Sequence, residues 1–285
     1  MKEREWQWPA RNGKAVFARG WAPDEENAVQ AVVVLIHGKG EHSGRYRHLA
    51  DNFAADGIAV LAFDQLGHGL TEGKRGHADS YEELMDGIDR LLEDANARYP
   101  GKPVFLYGHS MGGNIMINYV LRRRPQLAGA IATGPWLKLA PSDKPLPLVI
   151  WSRVAKQMKR KQPSAPPTYL TSDPDMLARL VSDPLGHGKF SAKLFFAIRR
   201  AGVWALQHAD ELSIPMLILH GGDDTVTALE ASRHFAERAR RHCTFQEWPG
   251  LRHELHNERH REEIFAAIKS WMQDQSSVAV GKSGN

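Results

Sequence analysis

At 285 residues, with 37 Lys plus Arg against 33 Asp plus Glu and a net charge of +4, the chain has the size of one large α/β domain and too mild a charge to call for a nucleic-acid partner. The single cysteine, Cys243, excludes an intramolecular disulfide, and no Cys/His cluster has zinc-ligand spacing, which fits a reducing, cytoplasmic setting. Charged residues at 2–5 stand where a secretory signal needs apolar ones, and no apolar run approaches the ~18 residues that span a bilayer.

Residues 4–9 and 15–21 read as an antiparallel hairpin across Asn12-Gly13. Apolar runs bounded by turn residues follow at 31–36, 58–63, 104–107, 128–131, 216–219 and 244–248. Helical spacing occupies 45–55, 80–97, 114–123, 228–241 and 258–272. This alternation predicts an α/β fold, a mostly parallel sheet with helices on both faces. The regularity breaks between 134 and 207, where Pro135, Pro141, Pro145, Pro147, Pro163, Pro166 and Pro167 interrupt the chain and no strand pattern survives. The expected organisation is a core over 1–134 and 207–274, an inserted helical cap over 135–206, and a small, polar, disordered tail over 275–285. The insertion follows a strand end, the side on which open α/β sheets bind ligands, so the cap is expected to lie over the site.

Within 148–161 the apolar residues Ile150, Trp151, Val154, Ala155 and Met158 recur at helical spacing, with Arg153, Lys156, Lys159, Arg160 and Lys161 on and beyond the other face. Two readings stand: a cap helix packed on the core with a solvated basic side, or a peripheral contact with anionic membrane. Trp136, Leu137, Leu139, Leu146, Phe195, Phe196 and Ile198 add apolar surface near the expected mouth, as core or as pocket.

The strongest motif is Gly108-His109-Ser110-Met111-Gly112-Gly113, directly behind the apolar run at 104–107. A strand turning sharply into a helix at G-x-S-x-G exposes its serine, which makes Ser110 the candidate nucleophile. A serine hydroxyl is weak at neutral pH and needs a general base and an acid to orient it. His253 follows a strand and the Pro249-Gly250 turn, whereas His256 and His260 read as part of the next helix. Asp224 is preferred to the adjacent Asp223, whose carboxylate is assigned to the loop backbone. The order Ser, Asp, His is that of the α/β-hydrolases. Oxyanion donors are expected from the amides of Met111 and Lys39, with Gly38 letting the loop at 37–41 turn in close. Asp64 with Gly67-His68-Gly69 is read as bracing a turn, Glu41, His42 and Ser43 as organising the oxyanion loop, and Cys243 as a small, partly buried filler.

The segments HGKGEHSGRY from His37, FDQLGHG from Phe63, PVFLYGHSMGG from Pro103, LHGGDDTV from Leu219 and PGLRHELH from Pro249 resemble the monoacylglycerol lipase and lysophospholipase group of α/β-hydrolases. The resemblance runs from about residue 5 to 272 and is weakest in the cap. It implies Ser110 as nucleophile, Asp224 as acid, His253 as base and the Lys39 and Met111 amides as oxyanion hole. It further implies fatty-acid ester hydrolysis, a lipid-like ester as substrate, and no metal or organic cofactor. Lys39 departs from the small or apolar residue common at its position; its ammonium either attracts an anionic group or points to solvent. Thioester or amide hydrolysis and acyl transfer share the same triad, and a silent binding protein on this fold is the rival from another class.

Overall fold

The computed structural model describes residues 1–25, 28–141 and 167–282. The basic helix expected over 148–161, Leu146, and the prolines at 145, 147, 163 and 166 lie outside the described residues. Among the described residues no helix is long and apolar enough to cross a membrane.

Strands β1 (Lys2–Pro9) and β2 (Ala15–Ala22) form the expected hairpin, with Pro9 opposite Ala15 and Gly13 at φ 79° in the turn. They are followed by β3 (Ala31–Ile36), β4 (Ile58–Phe63), β5 (Val104–His109), β6 (Gly129–Thr133), β7 (Met216–Gly221) and β8 (Cys243–Trp248). One eight-stranded sheet results, ordered β1-β2-β4-β3-β5-β6-β7-β8, in which β3 to β8 run parallel and the hairpin adds antiparallel at one edge.

The central strands read as continuous apolar runs because both faces are covered. On β3, Val32, Val34 and Ile36 enter one core layer, while Ala31, Val33 and Leu35 enter the other. The first layer is closed by α2 (Glu82–Arg98), α3 (Met111–Arg123), α5 (Ala192–Gln207) and α6 (Leu229–Arg238). The second is closed by α1 (Arg47–Ala55) and α7 (Arg261–Lys282). In α2, Leu84, Met85, Ile88, Leu91, Leu92 and Ala95 recur at the helical period and are the buried positions, which is why this stretch is a helix and not a loop. Helix α1 stops at Ala55 because Gly57, at φ 77°, takes the left-handed conformation that reverses the chain into β4.

The chain leaves the sheet at Thr133 and re-enters at Met216. Between them lie α4 (Pro174–Ser182) and α5. Asp173 caps α4 through Asp175 N–H at 2.9 Å and Met176 N–H at 3.2 Å, with Pro174 at the first helical position. Helix α5 packs on α3: Asn114 Nδ2 donates to the carbonyls of Trp136 at 2.7 Å and Ile198 at 3.1 Å, and Asn118 Nδ2 donates to Ala201 O at 3.2 Å. Trp136, Leu137, Phe195 and Ile198 are therefore core, whereas Phe196 is 38% exposed. Helix α7 continues to Lys282, so the tail expected to be disordered carries helical backbone as far as that residue.

Candidate active site

Ser110 joins β5 to α3 with φ 53° and ψ −114°, a backbone conformation costly for a residue with a Cβ. The flanking glycines permit the turn. A Cβ at Gly108 would meet the Gly112 carbonyl oxygen at 2.7 Å, and one at Gly112 would run into the Ile36 and His37 carbonyls at the end of β3. The bend is held by Ser110 N–H to Thr133 O at 3.0 Å, and by Trp136 N–H to Ser110 O at 2.9 Å.

His253 lies beyond β8 and the Pro249-Gly250 turn, where Gly250 takes φ 73°. Its Nε2 stands 2.9 Å from Ser110 Oγ and its Nδ1 2.7 Å from Asp224 Oδ2. A carboxylate only accepts, so Nδ1 carries the proton and Nε2 presents a lone pair to the serine hydroxyl. Asp224 Oδ2 also accepts from Thr227 Oγ1 at 2.7 Å and His220 Nε2 at 3.1 Å, and Oδ1 accepts from the amides of Val226 at 2.7 Å and Thr227 at 3.0 Å. Burial alone would raise this carboxyl, but the bonds from His220 and His253 and their charge hold it far below the usual carboxylate range. The loop-backbone bonds assigned to Asp223 belong to Asp224: the Asp223 side chain is exposed and only its N–H is tied inward, to Leu251 O at 2.9 Å. Adjacent loop residues point apart, and the deeper one collects all the donors.

The loop after β3 approaches Ser110 closely, since a Cβ at Gly38 would stand 3.3 Å from Ser110 Cβ. Met111 is the first residue of α3, so its amide has no acceptor within the helix. Lys39 follows Gly38 with its Nζ 5.4 Å from the centre of the Phe190 ring. Glu41 accepts from Gly38 N–H and, at 2.8 Å, from Tyr46 OH. Asp64 accepts from Ser43 N–H at 2.7 Å, Ser43 Oγ at 2.6 Å and Leu70 N–H at 2.8 Å, tying the loops after β3 and β4 together.

His220, which the motifs leave without a role, reaches Asp224 from the end of β7, and its place four residues before Asp224 is the one sequence signal of that contact. His256 and His260 precede α7: His256 lies in a 3-10 turn at Leu255–Asn257, its ring stacked on Tyr46 at 4.6 Å and edge-on to His109 at 4.8 Å. Neither nitrogen of His256 has a hydrogen-bond partner among the described residues.

His37, His68, His109 and His256 are all buried around this centre, and burial pushes each below its ordinary value near 6.5, His37 to about 3. Unfolding lets them take protons below pH ~6.5, so their contribution is fully present above that pH and is lost as pH falls through it, by up to about 1.4 kcal/mol per pH unit for each group. The urea midpoint is expected to fall steeply from pH 7 to pH 5, with a shallower fall in His256→Phe. A midpoint that holds constant over this range would contradict the neutral, buried cluster.

The serine aminopeptidase S33 family (Hydrolase_4) matches residues 27–260. A monoacylglycerol lipase of Mycolicibacterium smegmatis is 32% identical over 259 residues, covering 88% of this chain and 90% of the relative. An uncharacterized abhydrolase domain-containing protein of Dictyostelium discoideum is 33% identical over 277 residues; 93% of this chain matches, but it spans only 28% of that longer protein. The crystal structure of Paleococcus ferrophilus monoacylglycerol lipase superposes with a TM-score of 0.75 at 31% identity, covering 96% of this chain and 100% of that one. With an α/β-hydrolase sheet, a serine at its elbow and these relatives along nearly its whole length, the chain belongs to the serine aminopeptidase S33 family and is a carboxylic ester hydrolase.

Proposed function

We propose that the chain hydrolyses single-chain fatty-acyl esters, monoacylglycerols or lysophospholipids, through an acyl-enzyme on Ser110. The observation that carries this reading is the unbroken hydrogen-bond chain from Ser110 Oγ through His253 to Asp224, starting at a residue held at positive φ. In the proposed cycle Ser110 Oγ attacks the ester carbonyl as His253 Nε2 takes its proton, while Asp224 orients and stabilises the imidazolium. The amides of Lys39 and Met111 hold the oxyanion. His253 then protonates the departing alcohol, and water activated by the same nitrogen releases the fatty acid.

An aromatic cluster beside the elbow supports an apolar acyl chain. Trp136, whose N–H bonds Ser110 O, lies 5.7 Å from Phe190 and 5.8 Å from Phe195, ring centre to ring centre. In this reading the described residues 135–141 and 167–206 belong to a cap over the site, with Phe190 buried against Trp136. Each acyl methylene that becomes buried contributes about 0.8 kcal/mol, close to fourfold in kcat/KM. A panel of monoacylglycerols, lysophospholipids, short esters, acyl thioesters and aminoacyl anilides is expected to favour the long-chain oxygen esters by at least tenfold. Preference for the thioesters or the anilides would overturn the reading.

A further inference from the structure

Two imidazoles converge on one oxygen of Asp224. His253 Nδ1 stands 2.7 Å from Oδ2, and His220 Nε2, near the end of β7, stands 3.1 Å from the same atom. The proton relay to Ser110 uses the first and leaves the second without a role. His220 is fully buried, as is Ser232 of α6, whose Oγ lies 2.9 Å from His220 Nδ1.

The tautomer of His220 follows from these partners. Nε2 faces an ionised carboxylate oxygen and, at 3.4 Å, the Thr227 carbonyl; both only accept, so Nε2 carries a proton. In the neutral ring Nδ1 is then a lone pair, and the Ser232 hydroxyl donates to it. Ser232 thereby fixes which nitrogen of His220 turns its N–H toward Asp224.

This bond is not what aims the carboxylate. Oδ1 accepts the Val226 and Thr227 amides at 2.7 and 3.0 Å, and Oδ2 accepts from Thr227 Oγ1 at 2.7 Å, so the loop itself holds the carboxylate plane. What His220 adds is a further proton on the oxygen that faces His253. A hydrogen bond donated to a carboxylate stabilises its charged form and draws negative charge out of the oxygen. An imidazolium at His253 depends on that charge, since Oδ2 is its counter-ion. Sharing Oδ2 with His220 therefore makes His253 a weaker base than an unshared carboxylate would. A weaker base keeps its lone pair to lower pH and returns its proton more readily to the departing alcohol.

The other titratable groups near His253 are differently engaged. The His109 ring lies 4.8 Å from the His253 ring, and the His256 ring lies 4.8 Å from that of His109. Burial holds both well below the ordinary histidine range, so both are neutral at neutral pH. Of the chain neighbours, Arg252 donates to the Thr168 and Thr171 carbonyls, and Glu254 accepts from Asn257 Nδ2 at 2.7 Å. Ser232, which meets His220 from α6, is uncharged.

We infer that His220 is a positioning residue for the reaction, acting through Asp224 to set the pH below which His253 ceases to be a free base, with Ser232 fixing its tautomer. The inference rests on the acyl-enzyme reading above.

The test is the pH dependence of kcat/KM for a long-chain monoacylglycerol in the full chain, in His220→Gln and in His220→Leu. The rate of inactivation by a fluorophosphonate over the same pH range is a second readout. Glutamine can keep both bonds, donating from its amide to Asp224 and accepting from Ser232, whereas leucine supplies bulk without a donor. In His220→Leu the acid limb is expected to move up by about one pH unit, with activity falling about tenfold below the limb and about threefold or less on the alkaline plateau. In His220→Gln the limb is expected within about 0.3 pH unit of wild type. A substitution that only loosens packing lowers the plateau and leaves the limb in place. A limb unmoved in His220→Leu would overturn the assignment, and so would an equal displacement in His220→Gln. Nitrogen NMR of wild type with labelled histidines needs no leucine variant to fold. With its signals identified by their loss in His220→Gln, His220 is expected to carry its proton on Nε2 at neutral pH, and a proton on Nδ1 alone would overturn the assignment. Wild type inert to both the ester and the fluorophosphonate would instead overturn the acyl-enzyme reading.

Discussion

Replacing Ser110 by alanine is expected to lower kcat by about 10⁴ or more on any ester the wild type cleaves, with the residual rate coming from binding and the oxyanion donors. The size of the loss follows from the geometry. Ser110 Oγ is the hydroxyl at 2.9 Å from His253 Nε2, and it stands beside the Gly38 loop, where a Cβ at Gly38 would lie 3.3 Å from Ser110 Cβ. Alanine preserves the packing but retains the strained φ of 53° and ψ of −114°. Ser110→Gly removes the Cβ and is expected to be the more stable of the two variants by roughly 1–2 kcal/mol, while being equally inactive. Two measurements check this: turnover of a long-chain monoacylglycerol, and labelling by a fluorophosphonate probe, which should mark wild type and neither variant. A Ser110→Ala enzyme retaining even a tenth of wild-type turnover would remove Ser110 from the chemistry.

The parallel strands were legible because burial on both faces makes each an uninterrupted apolar run, and β3 and β4 fall on residues 31–36 and 58–63 as expected. Helix starts were less legible where local composition opposes the final structure. Helix α3 begins at Met111, three residues before the expected Asn114, because Gly112 and Gly113 are poor helix formers locally. Gly112 is helical here because only glycine fits beneath the carbonyls of Ile36 and His37, and Gly113 lies where a Cβ would stand 3.0 Å from both Gly108 O and Pro135 Cβ, constraints that arise after the sheet has assembled. The G-x-S-x-G motif and the Ser, Asp, His order pointed to Ser110, Asp224 and His253, which the fold brings within hydrogen-bond distance of one another, since motif spacing reports how strands end. Buried neutral histidines leave no such trace: His68, His109 and His256 are indistinguishable in sequence from surface histidines until the loops close over them.

Asp224→Asn is expected to lower kcat by about 10⁴ while leaving the fold intact, and the neighbours of Asp224 explain why the loss should be so large. Its Oδ1 accepts two backbone amides, from Val226 and Thr227, which an asparagine can satisfy only by placing its carbonyl oxygen there. The asparagine NH₂ is thereby forced toward His253 Nδ1 and His220 Nε2, two nitrogens that donate to Oδ2 in the wild type. His253 must then accept at Nδ1 and carry its proton on Nε2, the nitrogen facing Ser110, where it can no longer take the serine proton. The substitution thus removes the base by reversing its tautomer, without moving the ring. The hydrogen bonds from His220 and His253 hold the wild-type carboxyl far below the usual range, so at neutral pH Asp224 is ionised and accepts from both imidazoles. Asp223→Asn is the matched control: its side chain is exposed and only its backbone N–H is engaged, so kcat should stay within about twofold of wild type. Steady-state turnover of the two variants side by side decides the matter, since comparable losses in both would mean that neither carboxylate orients His253 as the hydrogen bonds indicate.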